Sequence, residues 1–544
     1  MTNTFSKSII GVCAASLLLA SCGSPKLIST PVENIDKTPL KISDLTEKQK
    51  KYWGHTDLLL DTIPGMSVNR AYKEIIGKRK GTKVIVAVID AGIDLKHEDL
   101  DGVLWRNKKE IAGNNKDDDN NGFVDDIHGY NFLGESYNEQ LELTRIVSLK
   151  LGDANMQTKA KSNLEKQRST ALQNKQQYEQ ILQTVKNADK AVKTHLGKET
   201  YTKKDLGEIK TKDATLQQHI AVLTQMFSYE DSIPKVIKEI SGGLKHFTES
   251  LNYNLNVDFN GRKIVGDNPY DIKDTKYGNG NPQSRSEDES HGTHVAGIIA
   301  AERNNGKGAN GVANNVAIMS VRAVPNGDEY DKDIALGIRY AVDNGAKIIN
   351  ASFGKSFSPN AKWVYDAIEY AASKDVLFIH AAGNDGKDLD DLKNLNFPND
   401  QVSNGPEIAD NVITVGALDN KYGSEMVASF SNYGKINVDI FAPGAKIYST
   451  LPNNKYDFMG GTSMAAPAVA GVAALIRSQH PKLTASQVKK IIMQSGTPIV
   501  ATIILGGDET KISTLNKISK SGKIINAYNA LLLAKKVSKG TIKL

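Results

Sequence analysis

The sequence predicts an α/β fold in which a doubly wound, mostly parallel sheet is interrupted by an inserted helical hairpin, and three observations carry the prediction. Short apolar runs rich in β-branched residues recur between Lys83 and Val415, as strands buried on both faces of a parallel sheet do. Amphipathic stretches of helical period lie between several of these runs, which makes βαβ units. Residues 140–255 abandon that rhythm for an apolar repeat of seven. Composition agrees, since 544 residues with 40% hydrophobic content can bury a large core. The net charge of +6 comes from 68 basic and 62 acidic side chains without a basic stripe, so no nucleic-acid partner is expected.

In chain order, Lys7 precedes an apolar run from Ile9 to Ala20 that is broken only by Gly11 and Ser16. The run is too short to span a bilayer as a helix and suits the apolar region of an export signal, residues 1–21. Leu19-Ala20-Ser21-Cys22 resembles the bacterial lipoprotein box, in which cleavage exposes a cysteine that receives acyl chains. Cys22 is then the lipidation site, and the protein is expected outside the cytoplasm, lipid-anchored to a bacterial membrane. A plain cleaved signal would leave Cys22 incidental. Each acyl methylene buried contributes roughly 0.8 kcal/mol to such anchoring. Cys13 and Cys22 are the only cysteines, so no disulfide framework is available. Residues 22–65, with Ser, Thr, Pro and Lys prominent, read as a tether and N-terminal extension.

Residues 66–139 form the first part of the main domain, with Lys83 to Asp90 as a strand closed by a Gly-containing turn. In the insertion, residues 140–255, Leu164, Ala171, Tyr178, Val185 and Val192 recur every seven residues, joined by Leu182, Ala188 and Leu196. This is the spacing of a long helix that buries one stripe, here against a second helical stretch from Thr215 to Leu251. Arg168, Lys175 and Asp189 interrupt the companion positions, so an ideal coiled coil is not expected. The hairpin is either a passive decoration or a lid or partner-binding element. The second part of the main domain, residues 256–535, carries strand-like runs at Ala317–Val321, Lys347–Asn350, Val376–Ile379 and Val412–Val415, with helices at Asp333–Asn344 and Val364–Ser373. Thr484 and Gln487 make a capping box for a helix through Met493, Ile525–Leu533 reads as a last short helix, and residues 536–544 as a tail.

Three patterns place Asp, His and Ser beside glycine and small residues. Asp90 ends the first strand in Val-Ala-Val-Ile-Asp-Ala-Gly-Ile-Asp, at the sheet edge where sites form. His291 lies in His-Gly-Thr-His-Val-Ala-Gly-Ile-Ile-Ala, and Ser463 in Gly-Gly-Thr-Ser-Met-Ala-Ala-Pro at the start of a small-residue helix. A serine hydroxyl becomes a nucleophile when a base lies within hydrogen-bond reach and a third group fixes that base. Spacing alone leaves His294 a competitor for the base. With these motifs in this order, and His380-Ala381-Ala382-Gly383-Asn384 as a fourth, the chain resembles the subtilisin family of serine peptidases from about Trp53 to Leu533, outside the insertion.

That resemblance implies a subtilisin-like fold and an endopeptidase that works through an acyl-enzyme, with Ser463 as nucleophile, His291 as base and Asp90 as its orienting carboxylate. It implies that Asn384 and the Ser463 backbone N–H form the oxyanion hole. It makes Ser352, Phe353 and Gly354, and Ala381, Ala382 and Gly383, the backbone walls of the pocket for the residue preceding the scissile bond. Polypeptides of broad sequence, with some apolar bias, are the expected substrates. In the family the catalytic aspartate is often followed by Ser or Thr, where this chain has Ala91. The insertion also stretches the interval from Asp90 to His291, which places its base near the active-site rim. No conventional prodomain is expected.

A second constellation runs from Lys116 to Asp126. Counted from Asp117, oxygen-bearing side chains fall at Asp117, Asp119, Asn121 and Asp125 with Gly122 sixth, the spacing of an EF-hand-type calcium loop. The twelfth place holds His128, with Asp126 as the substitute carboxylate. The alternative is a solvated acidic turn. Any calcium would be structural, since serine catalysis requires no cofactor. A second function class also follows from the insertion: a lipoprotein scaffold with vestigial catalysis that binds a protein partner through the helical hairpin.

Overall fold

In the computed structural model, residues 44–285 and 288–544 are described. The export signal and Cys22 lie outside them. Seven parallel strands carry the main sheet: β1 (Val84–Asp90), β2 (Gly129–Asn131), β3 (Val316–Arg322), β4 (Ile348–Ala351), β5 (Leu377–Ala381), β6 (Val412–Leu418) and β7 (Ile440–Pro443). Their order is β7-β6-β5-β4-β1-β3-β2, extended beyond β7 by the two-residue strands Lys523–Ile524 and Thr497–Pro498. All pairs are parallel except that last one, so the expected doubly wound, mostly parallel sheet is what forms.

The β-branched runs are buried on both faces because alternate residues feed two cores. Val84, Val86 and Val88 of β1 point into one, with the helices His291–Ala300, Thr462–Gln479, Ala485–Ser495 and Ala527–Ser538. Ala87 and Ile89 point into the other, under the helices Asp331–Asp343 and Ala361–Ser373. The capping box forms as expected, with Thr484 Oγ1 accepting from Gln487 N at 3.2 Å and Gln487 Oε1 from Thr484 N at 3.0 Å.

Two boundaries differ from expectation. The second half of the expected tether is packed: Thr46 caps a helix at Glu47–Tyr52, and Trp53, Leu58 and Ile63 are buried. Trp53 Nε1 donates to Lys446 O at 3.1 Å, an anchor that the polar average composition of this stretch conceals. The expected tail is likewise attached, because the last helix runs to Ser538 and Val537, Ile542 and Leu544 continue its apolar contact with the core.

The insertion is a long helix with a broken return limb. Ala154–Leu196, 43 residues, packs against Ala214–Met226 near its far end and Ile233–Glu249 near its root. The return breaks between Phe227 and Ser232, and Pro234 enters the first turn of the second helix, where its missing N–H is not needed. Leu164, Ala171, Val185 and Val192 bury the predicted stripe, but they divide between two small cores. Tyr178 lies between them against Gly243, where a Cβ would stand 2.1 Å from Tyr178 Cε1. No helix among the described residues is long and apolar enough to cross a membrane.

Candidate active site

Asp90 ends β1 with 2% exposure, and its Oδ1 accepts from Ala91 N at 2.8 Å. His291 opens the helix His291–Ala300. Its Nδ1 lies 2.8 Å from Asp90 Oδ1 and 3.0 Å from Oδ2. That approach needs glycine at position 292, because a Cβ there would stand 2.2 Å from Gly92 O. Burial disfavours the imidazolium, but the charge and hydrogen bond of Asp90 outweigh it and raise the His291 pKa above its ordinary value. His294, the competing histidine, faces away from Asp90 in its hydrogen bonding. It is buried, its Nε2 meets Asp457 O at 3.2 Å, and burial pushes its pKa down to about 3.

Ser463 lies in the first turn of the helix Thr462–Gln479, whose positive end favours a developing negative charge. The Ser463 hydroxyl donates to Ser352 O at 3.2 Å, and Ser352 Oγ donates back to Ser463 O at 2.9 Å. Ser463 is thereby fastened to the residue that follows β4. Asn384 follows β5 and is exposed. Its Oδ1 accepts from Thr462 N at 2.8 Å and Thr462 Oγ1 at 3.0 Å, and Thr462 Oγ1 accepts from Gly383 N at 3.0 Å. With the oxygen engaged, Nδ2 is the end left to donate, 3.4 Å from where a Gly461 Cβ would stand. Thr462 was not singled out by the sequence, although it immediately precedes the serine in the motif that was.

The expected pocket walls come together. Ser352, Phe353 and Gly354 extend β4, and Ala381, Ala382 and Gly383 end and extend β5, its neighbour in the sheet. Phe353 is buried in the second core, so it offers the pocket backbone and not a ring. Asn396 joins the two walls: Nδ2 donates to Ala382 O at 3.0 Å, and a Cβ on Gly354 would stand 2.6 Å from Asn396 Oδ1. Nothing in the local sequence marked Asn396, since it arrives from a loop 12 residues beyond Asn384.

The acidic loop differs from the calcium spacing. The carboxylates that converge, within 4.8 Å, are Glu110, Asp117 and Asp119. Asp125 instead accepts from Gly113 N at 2.8 Å and Asn115 N at 2.9 Å. Asp126 is buried and accepts from Asn107 Nδ2, Asn121 Nδ2 and Tyr340 Oη, with burial raising its pKa to about 6. Asn121 Oδ1 accepts from Phe123 N, and His128 Nδ1 meets Trp105 O. Counting positions along one loop missed Glu110, which closes the site from outside the loop. Of the loop carboxylates, Asp117 and Asp119 join Glu110 in that cluster, and Asp125 and Asp126 do not. The three clustered carboxylates are hard oxygen donors of the kind calcium takes.

Residues 81–522 match the sequence model of the Subtilase family, peptidase S8. The chain is 39% identical over 275 residues to the thermophilic serine proteinase of Bacillus sp. (strain AK1), covering 50% of this chain and 58% of that protein. It is 38% identical over 208 residues to subtilisin DY of Bacillus licheniformis, covering 38% and 70%. It is 36% identical over 241 residues to thermitase of Thermoactinomyces vulgaris, covering 44% and 76%. The chain thus spans little more than half the length of the first of these relatives.

Proposed function

Since the chain belongs to the subtilase family, we propose that it is a serine endopeptidase in which Asp90, His291 and Ser463 form the catalytic triad. The observation that carries this reading is the His291–Asp90 pair, at 2.8 Å, on the same sheet edge as a serine beside Asn384. The reading requires the Ser463 hydroxyl to leave Ser352 O and turn toward His291 Nε2. The oxygen then attacks the peptide carbonyl while the imidazole takes its proton, and Asp90 stabilises the imidazolium. Asn384 Nδ2 and Ser463 N–H receive the oxyanion. Collapse passes the proton to the leaving amine and leaves an acyl-Ser463 ester, which water resolves by the same steps in reverse. The walls Ser352–Gly354 and Ala381–Gly383 offer backbone to an extended polypeptide, which supports broad sequence acceptance.

The reading includes a lipid anchor at Cys22 on an extracytoplasmic membrane face, supported by the lipoprotein-box sequence. It also includes a structural calcium ion at Glu110, Asp117 and Asp119, which plays no part in the chemistry. Ser463→Ala decides the central claim. Casein hydrolysis should fall on the order of a million-fold, the scale known for loss of a triad serine, and fluorophosphonate labelling should vanish. Unchanged labelling sinks the assignment. Cys22→Ser, made alongside, should move the protein from the membrane fraction to the soluble one.

The scaffold reading comes second. It is favoured by an apolar groove on the insertion, lined by Tyr178, Ile181, Val222, Met226 and Ile240, beside Tyr229 at 71% exposure. Full activity of the purified chain on polypeptides would set it aside as the main role.

A further inference from the structure

Lys355 follows directly on Gly354, the end of one pocket wall, and its side chain is only 2% exposed. Its ammonium donates to Glu142 Oε2 and to Glu329 O, each at 2.7 Å, and lies 2.9 Å from Asp331 Oδ1. Glu142 opens the first helix of the insertion, Glu142–Leu149, and the same Oε2 accepts from Arg145 Nη2 at 2.6 Å. Arg145 donates in turn to Gln140 O, Asp328 O and Glu329 O at 3.0, 2.9 and 3.0 Å, with its guanidinium 3.9 Å over the Tyr330 ring. Two buried cations thus share Glu142 and Glu329 O as acceptors. They bind together the root of the insertion, the loop at 328–331 and the residue that ends the wall.

We propose that Glu142 and Lys355 are positioning residues for the wall Ser352–Gly354, so that the root of the insertion sets which residue is accepted before the scissile bond. This rests on the peptidase reading above. An apolar side chain at 355 would fill a buried position without the desolvation that an ammonium suffers, so a lysine there, paired to another segment, points to a role in placement. The backbone transmits that placement. Lys355 N donates to Phe397 O at 3.2 Å and Phe397 N to Lys355 O at 2.9 Å, while neighbouring Asn396 reaches Gly354 on one wall and Ala382 on the other. Asp90 and His291 lie on separate segments with their own hydrogen bonds, and Ser463 is tied to Ser352, at the end of the wall away from Lys355, so the effect falls first on the Gly354 end and on substrate acceptance.

The test compares full-length Glu142→Gln and Lys355→Met with wild type. The readouts are a peptide series varied at the residue before the scissile bond, and a small fluorophosphonate that needs the triad but little of the pocket. Labelling should stay within about two-fold, while kcat/KM for large apolar residues falls about tenfold, chiefly through KM, and small residues change less. Lys355→Met removes one of the two cations on Glu142 and the ammonium beside Asp331, which strains the fold, so Glu142→Gln, which keeps shape and a hydrogen bond, is decisive. An unchanged order of preference in that variant overturns the proposal, as does labelling that falls in step with turnover. Wild type that neither labels nor cleaves would sink the peptidase reading, and the proposal with it.

Discussion

The catalytic sheet and the inserted helices solve the same problem, burying apolar surface, in opposite ways. Strands β1, β3, β4, β5 and β6 each feed two cores at once, and the helix that starts at Thr462 is buried along nearly its whole length from Met464 to Ser478. The long insertion helix buries one stripe, split between a distal cluster around Val185, Val192, Leu223 and Phe227 and a proximal one around Leu143, Leu164 and Leu255. The proximal cluster adjoins the buried ties of Glu142, Arg145 and Lys355 to the main domain, whereas the buried Asp189 of the distal one pairs only within the insertion, with Lys193 and Tyr201. The difference assigns rigidity: the sheet edge is held from both faces, the root of the insertion is held to the sheet edge, and the distal limb is held mainly by itself. Local opening free energies follow such differences in buried contact.

The largest way to break this contrast is at Asn384, which belongs wholly to the sheet edge. Asn384→Ala removes a donor to the oxyanion and should lower kcat by about 100- to 1000-fold, with KM little changed. Protease sensitivity of the insertion should stay as it is, because Asn384 bonds only within the sheet-edge loops and Thr462. A loss that appears mainly in KM would place the residue in substrate binding.

A smaller effect, about tenfold per pH unit on the acid limb, follows from His291. The base must be neutral to accept the proton, and Asp90 raises its pKa above the unperturbed value of about 6.5. Activity should therefore climb with pH to a plateau above that raised pKa. The stability contribution of the pair runs the other way. A pKa raised on folding stabilises fully below about pH 6.5, and that contribution fades as pH rises through the folded pKa. NMR titration of the His291 ring in Ser463→Ala protein should give the raised midpoint, and Asp90→Asn should lower it. A midpoint that ignores Asp90 would undo the assignment of the pair.

Much of this was legible from sequence because it depends on local pattern. β-branched runs, small residues beside Asp90, His291 and Ser463, and a seven-residue repeat each carry their physical cause within a short window. What escaped is what distant segments supply. Glu110 closes a carboxylate cluster from outside the acidic loop, Asn396 bridges two walls from a later loop, and Lys355 finds its partners in Glu142, 213 residues earlier, and in Glu329 and Asp331. Trp53 escaped for another reason, since one buried indole disappears in the average of a polar stretch.

The sharpest discrimination comes from the smallest effect on turnover. Leu223 is fully buried in the distal cluster of the insertion, and Ile413 is equally buried in the sheet. Truncating either to alanine removes the same kind of buried bulk and costs about 2–5 kcal/mol where the site cannot collapse. The location of that cost should differ. Ile413→Ala lowers the global unfolding transition, because β6 lies between β5 and β7. Leu223→Ala should speed hydrogen exchange and proteolysis within 185–236 while the main transition holds and kcat/KM changes less than about two-fold. The buried ties of Glu142 and Arg145 lie at the other end of the long helix and should absorb the loosening. If Leu223→Ala instead shifted peptide preference as Glu142→Gln is expected to, the distal limb would be mechanically continuous with the pocket, and the division between root and limb would have to be redrawn.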